Sequence, residues 1–330
     1  MIYAFVLMLS LSADASPCTA ATPACTEWIA LSGGPSRSLV YRTYPLNQKN
    51  EKIIRAMVMV HGAGRDAHNY FRTAVAAAFL AGAMEDTIIL APRFASNDGP
   101  GCQDTLAPNE VSWSCSGDSW RSGGVSPGND KLTSYDFMDE LLRKLARKEI
   151  FPNLKGIVLA GHSAGGQFAN RYGMANTVHE SLGVPVTYVV SNPSSYAYPD
   201  TARPAANETS FAAFGDARNC TTYNRWPYGF QNRTGYGARL GDEQLIKQIV
   251  SRPSIYLLGG LDTLPLAGFD SSCPAMAQGQ NRLLRGQAFS NYINQKYGAQ
   301  HKTVVIPLCG HNARCMFTMD PALQILFPKP

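Results

Sequence analysis

The feature that most constrains the fold is a regular alternation, from Arg55 onward, of short apolar runs with longer helical segments. Short runs rich in β-branched side chains are typical of strands that are buried on both faces. Strands that alternate with helices form a mostly parallel sheet covered by helices. The sequence therefore predicts an α/β fold.

The predicted strands share this apolar character and cover Ser38–Tyr44, Arg55–Val60, Thr87–Ala91, Lys155–Ala160, Val184–Ser191, Ser254–Leu258 and Lys302–Pro307. The predicted helices share helical periodicity and cover Asn69–Ala83, Ser134–Lys148, Ala164–Ala175, Asp242–Val250 and Asn281–Tyr297. Two long segments interrupt the alternation, a loop over residues 94–131 and an aromatic-rich, lid-like insertion over residues 192–252.

A five-residue motif, Gly161-His162-Ser163-Ala164-Gly165, matches G-x-S-x-G and lies between a predicted strand and a predicted helix. A serine at such a turn adopts a strained backbone that exposes its hydroxyl at the sheet edge, and the flanking glycines avoid collisions with neighbouring backbone. This context predicts that Ser163 is a nucleophile and that the Ala164 amide stabilises an oxyanion.

A serine nucleophile needs a base and an acid, which follow it in the order Ser, acid, His in this kind of fold. His311 follows the last predicted strand, whereas His301 precedes it and would lie at the opposite sheet edge. Asp262 follows the penultimate strand, and Asp270 in the same loop is the alternative. We therefore predict His311 as the base and Asp262 as the acid that orients it.

An upstream turn, His61-Gly62-Ala63-Gly64, directly follows the predicted strand at Arg55–Val60. Loops in this position supply the second oxyanion amide, which we assign to Ala63, with Gly64 as the alternative. His61 is then a structural residue of the loop.

These motifs, in this order and each at a strand end, resemble the α/β-hydrolase superfamily over about Ser38 to Phe327. The resemblance implies an eight-stranded, mostly parallel sheet with the insertion after its sixth strand, an acyl-enzyme mechanism, no cofactor and no metal. Haloalkane dehalogenases and epoxide hydrolases resemble this fold too, but they carry aspartate where this chain has Ser163.

The resemblance implies a serine esterase that cleaves carboxylic esters, either small molecules or esters attached to a polymer. A peptidase or amidase of the same fold and a depolymerase of polyesters or plant-wall esters are alternatives, because one scaffold hosts all of them. A non-catalytic binding module would be expected to lack part of the Ser-Asp-His set.

Aromatic residues in the two long segments are candidates for a substrate pocket, since such segments are usually functional. We predict that Trp113 and Trp120, from the loop, and Trp226 and Tyr228, from the insertion, contact the substrate. The alternative for these aromatics is a hydrophobic cluster packed under the insertion.

The first residues are apolar, and Ala13-Asp14-Ala15 is a small-x-small pattern that predicts a signal peptide over residues 1–15. The remainder, 16–330, is then a single exported domain, extracellular or periplasmic if bacterial. Three sequons, at Asn207, Asn219 and Asn232, would accept glycans in a eukaryotic secretory pathway.

All eight cysteines follow residue 15, and an even number fits disulfide bonds in an oxidising compartment. The sequence leaves the pairing open. Nearest-neighbour pairing gives Cys18–Cys25, Cys102–Cys115, Cys220–Cys273 and Cys309–Cys315.

The net charge of +5 does not by itself identify a partner. There is no block of lysine and arginine of the kind that binds nucleic acid, so we expect no such partner. The chain after residue 15 contains no apolar run long enough for stable membrane insertion. The sequence does not define the oligomeric state.

Overall fold

A computed structural model describes residues 16–116, 119–205, 210–266 and 268–329. The predicted signal peptide lies outside these residues. The main sheet has eight strands, which are β1 Thr26–Ala30, β2 Arg37–Arg42, β3 Arg55–Val60, β4 Thr87–Pro92, β5 Gly156–His162, β6 Val186–Ser191, β7 Ser254–Gly259 and β8 Lys302–Ile306.

The strand order is β1-β2-β4-β3-β5-β6-β7-β8. The six strands from β4 to β8 in this order are parallel, while β1 and β2 pair antiparallel at one edge. The predicted fold class, a mostly parallel eight-stranded sheet flanked by helices, is confirmed. Seven strands agree with their predicted bounds within two residues, and the unpredicted β1 is a short edge strand.

The described helices are α1 Ala67–Leu80, α2 Ser134–Leu145, α3 Ala164–Ala175, α4 Asp242–Ser251, α5 Cys273–Met276, α6 Arg282–Tyr297, α7 Ala313–Thr318 and α8 Asp320–Leu326. They cover both faces of the sheet because successive strand residues point to opposite sides. Met57 and Met59 pack with the α1, α7 and α8 side chains, whereas Val58 and Val60 pack with α2, α3, α4 and α6.

The lid-like insertion contributes several of its aromatic rings to the main core. Tyr196, Tyr198 and Tyr236 are fully buried in the same hydrophobic cluster as α2 and α3. The Tyr196 ring stacks on Phe289 with centroids 4.7 Å apart, and the Tyr236 hydroxyl donates to Asp139 Oδ2 at 2.7 Å. This part of the insertion is therefore packed against the body of the protein.

Four disulfide bonds join the same cysteine pairs that nearest-neighbour pairing gives, namely Cys18–Cys25, Cys102–Cys115, Cys220–Cys273 and Cys309–Cys315. Of the sequon asparagines, Asn219 and Asn232 are exposed, and Asn207 lies outside the described residues. Within the described chain, no helix is long and apolar enough to cross a bilayer.

Candidate active site

Ser163 lies at a tight turn between β5 and α3. Its backbone has φ 59° and ψ −118°, an unusual conformation for a residue other than glycine. A side chain at Gly161 would collide with the Gly165 carbonyl, and one at Gly165 would collide with the Val60 carbonyl. Glycine at both positions lets the turn pack closely against β3 while the Ser163 side chain faces an open cleft.

Three side chains from separate loops form one hydrogen-bonded line at this turn. His311 Nε2 lies 3.0 Å from Ser163 Oγ, and His311 Nδ1 lies 2.7 Å from Asp262 Oδ2. The Asp262 side chain is fully buried, whereas the His311 side chain is one-tenth exposed. In this arrangement the imidazole can accept the proton of the hydroxyl, and the carboxylate can stabilise the imidazolium that forms.

The Asp262 carboxylate has a second partner on its other oxygen. Arg282, the first residue of α6, places Nη1 3.4 Å from Asp262 Oδ1, and neither side chain is exposed. The Arg282 Nε donates to Ser194 Oγ at 2.8 Å. Burial lowers the Arg282 pKa, and the opposing charge of Asp262 partly offsets that effect. This ion pair fixes the carboxylate with Oδ2 toward His311.

The loop that carries His311 is held at several points. A disulfide joins Cys309 to Cys315 across it, and the Asn312 side chain accepts from the Cys315 amide at 2.9 Å. The Leu261 amide donates to the Cys309 carbonyl at 3.0 Å, which ties the two loops that carry Asp262 and His311 to each other.

Three backbone amides near Ser163 have no acceptor among the described residues. They belong to Ala164, at the start of α3, and to Ala63 and Gly64, in the turn after β3. Ala63, Gly64 and Ser163 line a cleft of about 580 Å³. The Ala63 and Gly64 amides are therefore available to a ligand atom held in the cleft, and the Ala164 amide directly follows the cleft-lining Ser163.

Three other histidines make contacts that fit structural roles. His61 Nε2 accepts from the Phe94 amide at 3.1 Å, and burial lowers its pKa to about 4. His301 Nε2 lies 2.7 Å from the Ile249 carbonyl, away from Ser163. His162 packs against His311 with ring centroids 4.6 Å apart, and burial lowers its pKa well below the usual value. His162 is therefore a neutral neighbour of His311 near pH 7.

The sequence matches the profile of the Alpha/beta hydrolase family over residues 57–323. The chain belongs to the alpha/beta hydrolase family. No curated protein sequence matches it.

Solved structures of other hydrolases share the fold. LpqC, a poly(3-hydroxybutyrate) depolymerase from Bordetella parapertussis, matches with a TM-score of 0.61 and 19% identity, over 89% of this chain and 85% of that chain. Poly(aspartic acid) hydrolase-1 from Sphingomonas sp. KT-1 matches with a TM-score of 0.64 and 20% identity, over 92% of this chain and 98% of that chain. At this identity the likeness shows the fold alone.

The four aromatic residues that we predict to contact the substrate of this hydrolase lie in two different environments. The prediction for Trp113 and Trp120 is corrected, because both rings are buried in the core, with at most 3% exposed. The Trp113 indole donates to Ser38 Oγ at 3.1 Å, and the Trp120 ring stacks on Phe94 with centroids 5.0 Å apart. The Trp113 indole therefore has its hydrogen-bond acceptor within the protein, and the Trp120 ring is packed against another core aromatic.

Trp226 and Tyr228 are half-buried, and their substrate role stays a prediction. The Trp226 indole donates to the Ser122 carbonyl at 3.1 Å. The Tyr228 hydroxyl donates to Asp270 Oδ2 at 2.8 Å. Asp270, the alternative acid, therefore pairs with the insertion and has no described contact with His311.

Sequence reasoning missed two residues that position the site of this hydrolase. One is Arg282, described above. The other is Asn192, whose Oδ1 accepts from the Gly259 amide at 2.8 Å and whose Nδ2 donates to the Gly310 carbonyl at 3.3 Å. Asn192 directly follows β6, so the rule that residues after parallel strands converge would have found it. No sequence signal identifies Arg282.

Proposed function

We propose that this hydrolase cleaves carboxylic esters through an acyl-enzyme intermediate, with Ser163 as nucleophile, His311 as base and Asp262 as the orienting acid. The observation that carries the proposal is the unbroken line of hydrogen bonds from Asp262 through His311 to Ser163, which ends at an open cleft. This is the arrangement that activates a serine hydroxyl.

In the proposed reaction, Ser163 Oγ attacks the ester carbonyl while His311 Nε2 takes its proton. The Ala164 amide and that of Ala63 or Gly64 hold the oxyanion. His311 then returns the proton to the leaving alcohol, and the acyl group stays on Ser163. Water, deprotonated by His311, attacks the acyl-enzyme. As the acyl–Oγ bond breaks and the acid leaves, His311 returns that proton to Ser163 Oγ. Asp262 stabilises the imidazolium in both halves of the reaction.

We propose an ester and not an amide as the bond cleaved. An alcohol is the better leaving group, so the site must supply less transition-state stabilisation for an ester than for an amide. A 4-nitrophenyl ester and the matched 4-nitroanilide distinguish the two activities. Faster turnover of the anilide would replace the esterase proposal with the peptidase or amidase alternative.

The test is hydrolysis of 4-nitrophenyl esters from acetate to palmitate and of a feruloyl ester by the protein with its disulfides intact. We expect turnover that Ser163→Ala lowers by about 10⁴-fold or more. Wild-type rates in Ser163→Ala would refute the proposal. Inactivity on every ester would favour a peptidase or a specialised polymer substrate.

A pair of aspartate variants tests the assignment of the acid. Asp262→Asn should lower kcat by about 10³- to 10⁴-fold, because the amide favours the wrong tautomer of His311. Asp270→Asn is the matched control, since it removes a carboxylate from the same loop. Equal losses in both variants, or a loss in Asp270→Asn alone, would contradict the assignment of Asp262.

We also propose that the protein is exported. The support is the apolar segment that ends at Ala13-Asp14-Ala15 and the four disulfide bonds, which persist in oxidising compartments. Expression of the full chain in its source cells and N-terminal sequencing of the extracellular protein test this. We expect the mature chain to begin at Ser16. A product found only inside the cell and retaining Met1 would overturn export.

A further inference from the structure

The cleft at Ser163 has two cationic side chains on its wall. Arg72 projects from α1 and Arg314 from α7, two helices that pack against each other. Both side chains belong to exposed residues. Asp66 is the only carboxylate among the described residues that line the cleft, so the two arginines leave a net positive charge there.

Neither arginine has an acidic partner in the part of the chain that the structure describes. Among the described residues, no carboxylate lies within 4.0 Å of either guanidinium, although many other arginines of this chain form such pairs. The Arg72 Nη1 donates to the Asn69 amide oxygen at 3.2 Å, and the Asp66 carboxylate accepts from the Asn69 side chain at 3.2 Å. Most of the guanidinium donors therefore face the cleft or solvent.

An arginine fork matches the two oxygens of a carboxylate, and charge-assisted hydrogen bonds of this kind are stronger than those between neutral groups. Two such forks on the wall of the cleft that holds the nucleophile favour a substrate that carries a negative charge in addition to the bond that is cleaved. A neutral ester can accept hydrogen bonds from these two side chains, but it lacks the charge that makes such bonds strong.

We propose that Arg72 and Arg314 form a subsite for a free carboxylate, so that the preferred substrates are esters that carry one. This inference rests on the proposed esterase function and narrows its substrate class. The carboxylate lies on either the acyl or the alcohol side of the ester, and the experiment examines both sides.

Two matched pairs of substrates test the proposal. On the acyl side, mono-4-nitrophenyl esters of dicarboxylic acids from adipate to sebacate are compared with the same compounds methylated at the free acid. On the alcohol side, 4-carboxyphenyl butyrate is compared with its methyl ester. The measured quantity is the ratio of kcat/KM for the acid to kcat/KM for its neutral counterpart.

The wild-type ratio should exceed 1 in at least one series, and it should fall as salt rises because exposed charges are screened. Each of Arg72→Gln and Arg314→Gln should lower the ratio by about three- to tenfold. Arg218→Gln is the matched control, since it removes an exposed arginine from the insertion, and it should keep the wild-type ratio.

Equal ratios in the wild type and in the double variant Arg72→Gln/Arg314→Gln, in both series, would overturn this inference. Hydrolysis of the neutral esters would in that case still support the proposed function, so the two failures are distinguishable. Binding to the Ser163→Ala protein provides a readout without turnover. Nuclear magnetic resonance should detect binding of monomethyl suberate that weakens in the double variant, and equal binding in both would also overturn it.

Discussion

The buried pair between Arg282 and Asp262 gives a prediction whose size follows from the structure. Both side chains are fully buried, and Nη1 and Oδ1 are 3.4 Å apart. Replacing Arg282 with Gln leaves the carboxylate buried without its cation. Coulomb's law over this distance, with an effective dielectric constant of about 20, gives about 5 kcal/mol. Breaking a buried ion pair by removing one partner costs about 3–5 kcal/mol.

We therefore expect Arg282→Gln to lower the free energy of unfolding by about 3–5 kcal/mol. Denaturant unfolding with the disulfides intact measures this loss. A misplaced carboxylate also holds His311 less well, so kcat per active site should fall by about 10- to 100-fold. Sites counted with a serine-directed phosphonate give the number of active molecules, which separates this effect from misfolding.

Rescue by a conservative variant distinguishes positioning from a purely structural role. Arg282→Lys keeps a cation opposite Asp262 but lacks the guanidinium fork that also donates to Ser194. It should therefore restore part of the kcat per active site that Arg282→Gln loses, whereas a purely structural role would leave kcat per active site unchanged in both variants.

Arg252→Gln is the matched control for this prediction. Arg252 is a buried arginine that pairs with Glu180 at 2.8 Å and also donates to backbone carbonyls. Its loss should reduce stability but leave kcat per active site as in the wild type. The positioning role of Arg282 is refuted if Arg282→Gln behaves like this control.

Two further predictions concern stability. Burial raises the Asp139 pKa to about 6, so between about pH 4 and pH 6 the folded protein holds a proton that the unfolded chain has released. The contribution of Asp139 to the free energy of unfolding is therefore most favourable below pH 4. About 3 kcal/mol of this contribution is lost as the pH rises through 6. In unfolding measurements Asp139→Asn should remove this dependence and Glu140→Gln should keep it; identical curves for both variants would contradict the prediction. The double variant Cys309→Ala/Cys315→Ala should lose about 2 kcal/mol of unfolding free energy, with a lower kcat because the loop carries His311, and an unchanged kcat would show that the disulfide does not position the histidine.

The sheet and the location of the site could be predicted because both depend on local patterns. Apolar runs identify seven of the eight strands of the main sheet within two residues of their bounds. Once those strands are parallel, residues that follow them meet at one edge, which brings Ser163, Asp262 and His311 together although they are far apart in sequence. The edge strand β1 was missed because it is short and partly exposed.

The residues that support the site depend on tertiary contacts that no local pattern encodes. Arg282 begins a helix, and nothing in its sequence neighbourhood indicates that it faces Asp262. Trp113 and Trp120 show the opposite error, since tryptophans in a long loop are expected to be buried but the sequence does not say whether a ligand or the core buries them. Here the core buries both rings, because Trp113 contacts Ser38 and Phe137 and Trp120 contacts Phe94.

The residue that a fluorophosphonate labels tests the proposed nucleophile most directly. We expect one label per chain, located on Ser163 by peptide mass spectrometry, with ester hydrolysis lost in proportion to labelling. His311→Ala should slow the labelling strongly, because the hydroxyl then has no base. A label on another residue, or full ester hydrolysis after complete labelling of Ser163, would contradict the assignment of Ser163 as the nucleophile.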